Sequence, residues 1–201
     1  MCRKLFLLVS LVLMLALALP TQANLLTNGD FNTALGAEWG IWGDMGWVNQ
    51  EVITPAPGLE GVYDGTLQMS IGDGDGNGSR GMYQVVAGTA GVEYTLDIQG
   101  GAQDWWWPNG KAYLKFLDSC GGELGSYEID ITADFTDWDM GVPYQDFSIS
   151  ATAPSGTTQV KVDLIEWAGS GTVWFDNAVL TPEPATIAIL GLGAMFLRRK
   201  R

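Results

Sequence analysis

The chain has 201 residues, a formal net charge of −13, two cysteines and no histidine. The missing imidazole excludes Ser-His-Asp and Cys-His catalysis and most zinc sites. The acidic balance repels phosphate backbones and anionic lipid, so nucleic acid is not an expected partner.

The N-terminus reads Met1-Cys2-Arg3-Lys4, then an apolar run from Leu5 to Leu19 broken only by Ser10, then Pro20-Thr21-Gln22-Ala23. That order predicts a secretory signal helix, residues 1–23, cleaved after Ala23; the run is short for a membrane span. An uncleaved N-terminal anchor is the other reading.

Residues 24–181 form one expected domain. They hold 22 acidic and four basic residues, Arg80, Lys111, Lys115 and Lys161, a net charge near −18. Such a surface suits cations, neutral glycans and solubility outside the cell. The stretch 32–47 is poor in strand signal and reads as a long loop. Strands are expected at 48–53, 66–71, 81–87, 92–98, 111–118, 126–131, 147–151, 160–164 and 172–180. The clearest is Val92 to Ile98, whose alternation puts Val92, Tyr94, Leu96 and Ile98 on one face. Turn signals such as Ala87-Gly88-Thr89-Ala90-Gly91, Gly121-Gly122 and Pro154-Ser155-Gly156 separate the runs. Many short strands with such punctuation predict an all-β, antiparallel two-sheet sandwich.

Four local features bear on chemistry. Asp73, Asp75 and Asn77 alternate with glycines like the start of a calcium loop, but position twelve is Gln84 and no helices flank it. The segment is therefore a looser calcium loop or a hairpin connection that binds nothing. Trp105-Trp106-Trp107 follows a strand, and alternation cannot bury all three rings. They are expected to meet a sugar face, with Asp104, Asn109 and Gln103 taking hydroxyls, or to cap the core. Trp39, Trp167 and Trp174 are read as core. Cys120, the one thiol left after signal removal, is expected half-buried at a strand end. Among 22 acids, pairs arise by chance, so Asp137, Asp139 and Glu166 give only a thin case for a carboxylate-pair glycosidase. The chain is read as non-enzymatic, with no cofactor beyond a structural calcium.

Pro182-Glu183-Pro184, an apolar run from Ala185 to Leu197, and Arg198-Arg199-Lys200-Arg201 close the chain. This tripartite tail resembles the PEP-CTERM sorting signal. The resemblance implies a short hydrophobic transmembrane helix that holds the protein transiently in the cytoplasmic membrane, with its cations inside. It also implies removal of the tail by an exosortase, and the envelope surface or polysaccharide matrix of a Gram-negative bacterium. A plain C-terminal anchor is the alternative.

The opening Asn24-Leu25-Leu26-Thr27-Asn28-Gly29-Asp30-Phe31 and closing Val173-Trp174-Phe175-Asp176-Asn177-Ala178-Val179-Leu180 resemble a second family. With Tyr83-Gln84-Val85-Val86 and the Gly91–Leu96 strand, they are similar to carbohydrate-binding-module jelly rolls of the galactose-binding-like superfamily. That likeness implies polysaccharide binding, or a matrix role without a defined ligand. It also implies a structural calcium between the first turn and the last strand, near Asp30 and Asp176. The family often has an acid after the Phe, where Asn32 stands here. The other reading of Asp176 is a carboxylate bonded to a backbone amide at a strand end.

Overall fold

The computed structural model describes residues 24–43, 47–52, 67–72, 79–103, 109–132, 145–167 and 172–183. The signal peptide, the Asp73–Asn77 segment, Asp104–Trp107, Asp137, Asp139 and the tail from Pro184, with Arg198, Arg199, Lys200 and Arg201, lie outside them. Ten strands follow in chain order: β1 Gly40–Gly43, β2 Trp47–Val52, β3 Leu67–Gly72, β4 Ser79–Ala87, β5 Glu93–Gln103, β6 Gly110–Leu117, β7 Glu123–Asp130, β8 Gln145–Thr152, β9 Gln159–Trp167 and β10 Thr172–Pro182. Nine match the expected runs. The exception is β1, which lies inside the stretch read as loop. Its four residues, two of them glycine, are too few for a periodic signal, and pairing with β4 sets their conformation.

Two five-stranded sheets result, and every pairing is antiparallel. The first has the order β1-β4-β9-β6-β7 and the second β2-β3-β10-β5-β8. Alternation sends one residue of each pair inward. From the first sheet come Met82, Ala112, Leu114, Phe116, Val160, Val162 and Leu164; from the second come Tyr94, Leu96, Ile98, Val173, Phe175 and Leu180, all buried. Each large aliphatic or aromatic side chain so buried contributes about 1.5–3 kcal/mol. Arg80 and Glu166 also point inward, opposite each other in the β4–β9 ladder, and are fully buried as an ion pair at 3.4 Å. Glu166 is thus tied to an arginine inside the sandwich.

The N-terminal segment closes the second sheet against β10. Leu25 N donates to Leu180 O at 2.9 Å, and Asn24 bridges Ala178 O and Leu180 N. Phe31 is buried in the left-handed region at φ 51° and packs on Trp39, with ring centroids 5.4 Å apart. A phenylalanine holds that conformation only where packing compensates it. At its far end β10 pairs Pro182 with Tyr94, and Glu183 N donates to Glu93 O at 2.7 Å. The strand therefore runs into the Pro-Glu-Pro sequence without a linker.

Trp39 and Trp174 are buried as expected, but Trp167 is 50% exposed. Its odd position in β9 sets it opposite Val160, Val162 and Leu164. Cys120 also departs from expectation. It is an exposed free thiol in the β6–β7 turn, where its amide donates to Asp118 Oδ1 at 2.8 Å.

Candidate functional site: the outer face of the first sheet

The residues alternating with the core on β1, β4, β9, β6 and β7 form adjoining rows. One row runs Trp42, Gly81, Ile165, Lys111, Asp130; the next runs Gly40, Tyr83, Asp163, Tyr113, Glu128. Beyond them Val85, Lys161, Lys115 and Ser126 make a third. Trp167 stands at one rim, where its amide donates to Asn109 O at 2.8 Å.

Two glycines explain how rings lie across this face. A Cβ at Gly40 would stand 2.5 Å from Tyr83 Cζ, and one at Gly81 would meet the Leu164 carbonyl oxygen at 2.5 Å and Trp42 Cε2 at 3.2 Å. With no side chain there, the phenol crosses Gly40 and the indole crosses Gly81 towards Ile165. Trp42 Nε1 then donates to Asp163 Oδ1 at 3.0 Å.

Asp163 is buried and sits at the centre. Its Oδ2 takes Lys161 Nζ at 2.8 Å and Lys115 Nζ at 3.3 Å. Those ammonium groups lie 4.3 Å from the Tyr83 ring centroid and 4.8 Å from that of Tyr113. Along the next edge Lys111 pairs with Glu128 at 3.1 Å. Hydrogen bonds from Lys111 and from the Tyr113 hydroxyl hold the Glu128 carboxyl below its ordinary range. Tyr113 is pushed up to about 12, first by burial and then by the neighbouring charge of Glu128, Asp163 and Asp130. The arrangement can stack an apolar ring face and exchange hydrogen bonds with hydroxyls, and it holds its own polar groups in fixed positions.

Of these residues only Asn109 was expected from the sequence to meet a ligand; Trp167 was read as core and the lysines only as part of the charge balance. The signal was present in Lys111-Ala112-Tyr113-Leu114-Lys115 and Lys161-Val162-Asp163, where alternation places the polar members on one outward face. The Trp triplet drew attention by its density instead. Asn109 marks where that segment enters β6.

The expected calcium junction brings the Asn28–Phe31 turn onto β10, since Ala178 N donates to Gly29 O at 2.8 Å. Asn24, Asn28, Asp30 and Asn177 line a shallow cavity there. Its oxygens are already engaged. Asp30 accepts from Asn32 N and Nδ2, Asn28 Oδ1 from Thr33 N, and Asn24 Oδ1 from Leu26 N and Leu180 N. Asp176 Oδ1 accepts from Asn177 N at 2.7 Å, the strand-end amide bond of the alternative reading. Among the described residues no group of three acids, cysteines or histidines converges. The acids at this junction are Asp30 and Asp176, so a calcium there would draw most of its six to eight oxygens from backbone and amide carbonyls. Hydrogen bonds hold the turn.

The fold is shared with solved structures. A carbohydrate-binding module of class 4 superposes with a TM-score of 0.53 at 17% identity, covering 79% of this chain and 99% of that one. A class 61 module, TmCBM61, solved with β-1,4-galactotriose, gives 0.53 at 21% identity over 80% and 99%. The enzymatically active domain of bacteriophage CBA120 tailspike protein 4 gives 0.59 at 14% identity; it is covered over 21% of its own length and covers 79% of this chain. No curated protein matches the sequence. Residues 180–201 match the PEP-CTERM protein-sorting motif, the address of proteins exported and sorted at the cell surface. Among the described residues no helix is long and apolar enough to cross a membrane. The chain is therefore a jelly-roll β-sandwich, similar in fold to carbohydrate-binding modules, that carries a PEP-CTERM sorting motif in its last residues.

Proposed function

We propose that this is a non-catalytic polysaccharide-binding protein of the cell surface or extracellular matrix, bound to its ligand through the outer face of the first sheet. The observation that carries the reading is the pair of rings laid across Gly40 and Gly81 beside the buried Asp163. Rings packed over glycines and fixed by a buried carboxylate offer an apolar platform at low entropic cost, which is what sugar recognition requires. The likeness to modules that bind glycans supports it. Trp105–Trp107 and Asp104, which lie between β5 and β6 in the sequence, are proposed as further sugar contacts from their residue types alone. In this reading residues 1–23 direct export, 24–181 form the binding domain, and an exosortase processes the tail from Pro182.

Tryptophan-fluorescence titration of the purified protein against a polysaccharide panel tests the proposal. A saturable change that Trp42→Ala removes is the expected result. No response to any polysaccharide would leave a matrix protein without a defined ligand. Hydrolysis of a glycan, abolished by one carboxylate substitution, would establish an enzyme instead.

A further inference from the structure

The charge of the exported domain, taken as a whole, favours neutral glycans. The placement of its few cations points the other way. Of its four basic residues, Arg80 is buried against Glu166. The other three, Lys111, Lys115 and Lys161, all lie on the outer face of the first sheet, each with 19–22% of its side chain exposed. The outer strip of β5 and β8 on the second sheet carries Glu93, Asp97 and Asp146 and no base.

Lys115 and Lys161 are direct partners in the β6–β9 ladder. Like charges facing each other across a ladder are unfavourable, so the pairing calls for a compensating anion. Asp163 supplies one carboxylate for the two ammonium groups, and it shares that carboxylate with Trp42 Nε1. Glu123 is the other acid in reach, at 3.9 Å from Lys115, but it is 51% exposed and so largely screened. Each ammonium has three donors. Lys161 spends one on Asp163, and Lys115 spends one on Asp163 and leans towards Glu123. The remaining donors belong to two half-buried cations that sit between the tyrosine rings.

Resting on the polysaccharide-binding reading, we infer that the ligand is an acidic polysaccharide, whose carboxylate or sulfate group is taken between Lys115 and Lys161 while a sugar ring lies on Trp42. Charge-assisted hydrogen bonds from two ammonium groups would favour an acid group over a hydroxyl at that point. The acids along β5 and β8, Glu93, Asp97 and Asp146, would then disfavour the polymer on the second sheet's outer strip.

The test is affinity electrophoresis and titration calorimetry of the full chain in detergent. The probes are sodium polygalacturonate, the same polymer fully methyl-esterified, alginate, and dextran sulfate beside plain dextran. The charged polymers are expected to bind about tenfold tighter than their neutral counterparts at low salt, with most of that advantage gone at about 0.5 M salt. Preference for polygalacturonate and alginate identifies a carboxylate, and preference for dextran sulfate a sulfate. The Lys115→Gln, Lys161→Gln double variant is expected to lose the preference for the charged polymer over its neutral counterpart. The Lys115→Arg, Lys161→Arg variant is expected to keep it, which separates loss of charge from loss of fold. Equal or tighter binding of the neutral polymers, or a preference untouched by the Gln variant, overturns the inference and leaves polysaccharide binding standing. Binding to none of the polymers overturns both.

Discussion

The outer face of the first sheet carries Trp42, Tyr83, Tyr113, Asp163 and three lysines; that of the second, along β5 and β8, carries Thr95, Asp97, Gln99, Asp146, Ser148 and Ser150. The same two-residue alternation generates both. On the second face, short polar side chains satisfy one another, as in Thr95 with Ser150 at 2.8 Å and Gln99 with Asp146 at 2.9 Å. On the first, rings and long cationic stems are drawn inward to a buried carboxylate. A buried carboxylate stands on each face, Asp176 beside Gln99 on the second and Asp163 on the first, but Asp163 gathers two lysines and an indole around it whereas Asp176 accepts from the backbone amide of Asn177. The first face is singled out by that gathering of rings and cations.

The comparison can be broken in several ways. The largest effect should come from beneath the first face. Glu166→Ala leaves Arg80 buried without its partner and should cost about 3–5 kcal/mol of stability in urea unfolding, whereas an Arg80→Met, Glu166→Leu pair should recover most of it. A cost near zero for the single change would mean that the pair contributes nothing to the sheet. Next, Trp42→Ala should weaken polysaccharide binding by about 2 kcal/mol, roughly thirtyfold, with the fold retained by circular dichroism. Unchanged binding would remove the first face from the proposal.

The third prediction concerns pH. Tyr113 is raised to about 12 in the folded protein, against about 10 in the unfolded chain. The folded state therefore holds this proton more tightly. The associated stability is fully present below pH 10 and is lost as pH climbs through about 12. Absorbance titration should show a tyrosine ionisation near pH 12 that is lost in Tyr113→Phe and shifted down in Glu128→Gln; no change in the titration of Tyr113→Phe near pH 12 would contradict the packing described. Glu128 behaves oppositely: its lowered value contributes stability above the ordinary carboxylate range, lost as the solution turns acid. The smallest effect belongs to the second face. Thr95→Ala or Ser150→Ala should cost below about 1 kcal/mol in thermal melts and leave binding unaltered. A binding loss there would reverse the assignment of faces.

The sheet pattern was legible because its strands alternate in plain view; Tyr94, Leu96 and Ile98 line the core as their spacing requires. Val92, grouped with them, is only half-buried because it precedes β5 in the turn. The face that matters was legible in its parts but not as a whole. Lys161-Val162-Asp163 announces an outward pair, yet nothing local says that Trp42, more than a hundred residues earlier, lies beside it. That juxtaposition depends on strand order, with β1 against β4 and β4 against β9, which no single window contains. Trp167 misled for a related reason: residue type suggested core, and only its parity with Leu164 places it outside. The calcium expectation followed a family likeness at Asp30 and Asp176; in the structure Asn24 ties the opening segment to β10, while Asn28 and Asn32 bond within the turn.

The run of β10 into Pro182 and Glu183 has a mechanical consequence. A tether attached at this end pulls on the last hydrogen bond, Glu183 to Glu93, before any other. Behind it the load passes along a strand gripped on one side by β5 through the Tyr94 and Thr95 positions, and on the other by residues 24–29 through Leu180 and Ala178. The first residues of the described chain thus clasp its last strand. A domain moored to a surface at this point and dragged by polymer across its first sheet would resist as a sliding joint rather than a zip, its two ends sharing the strain.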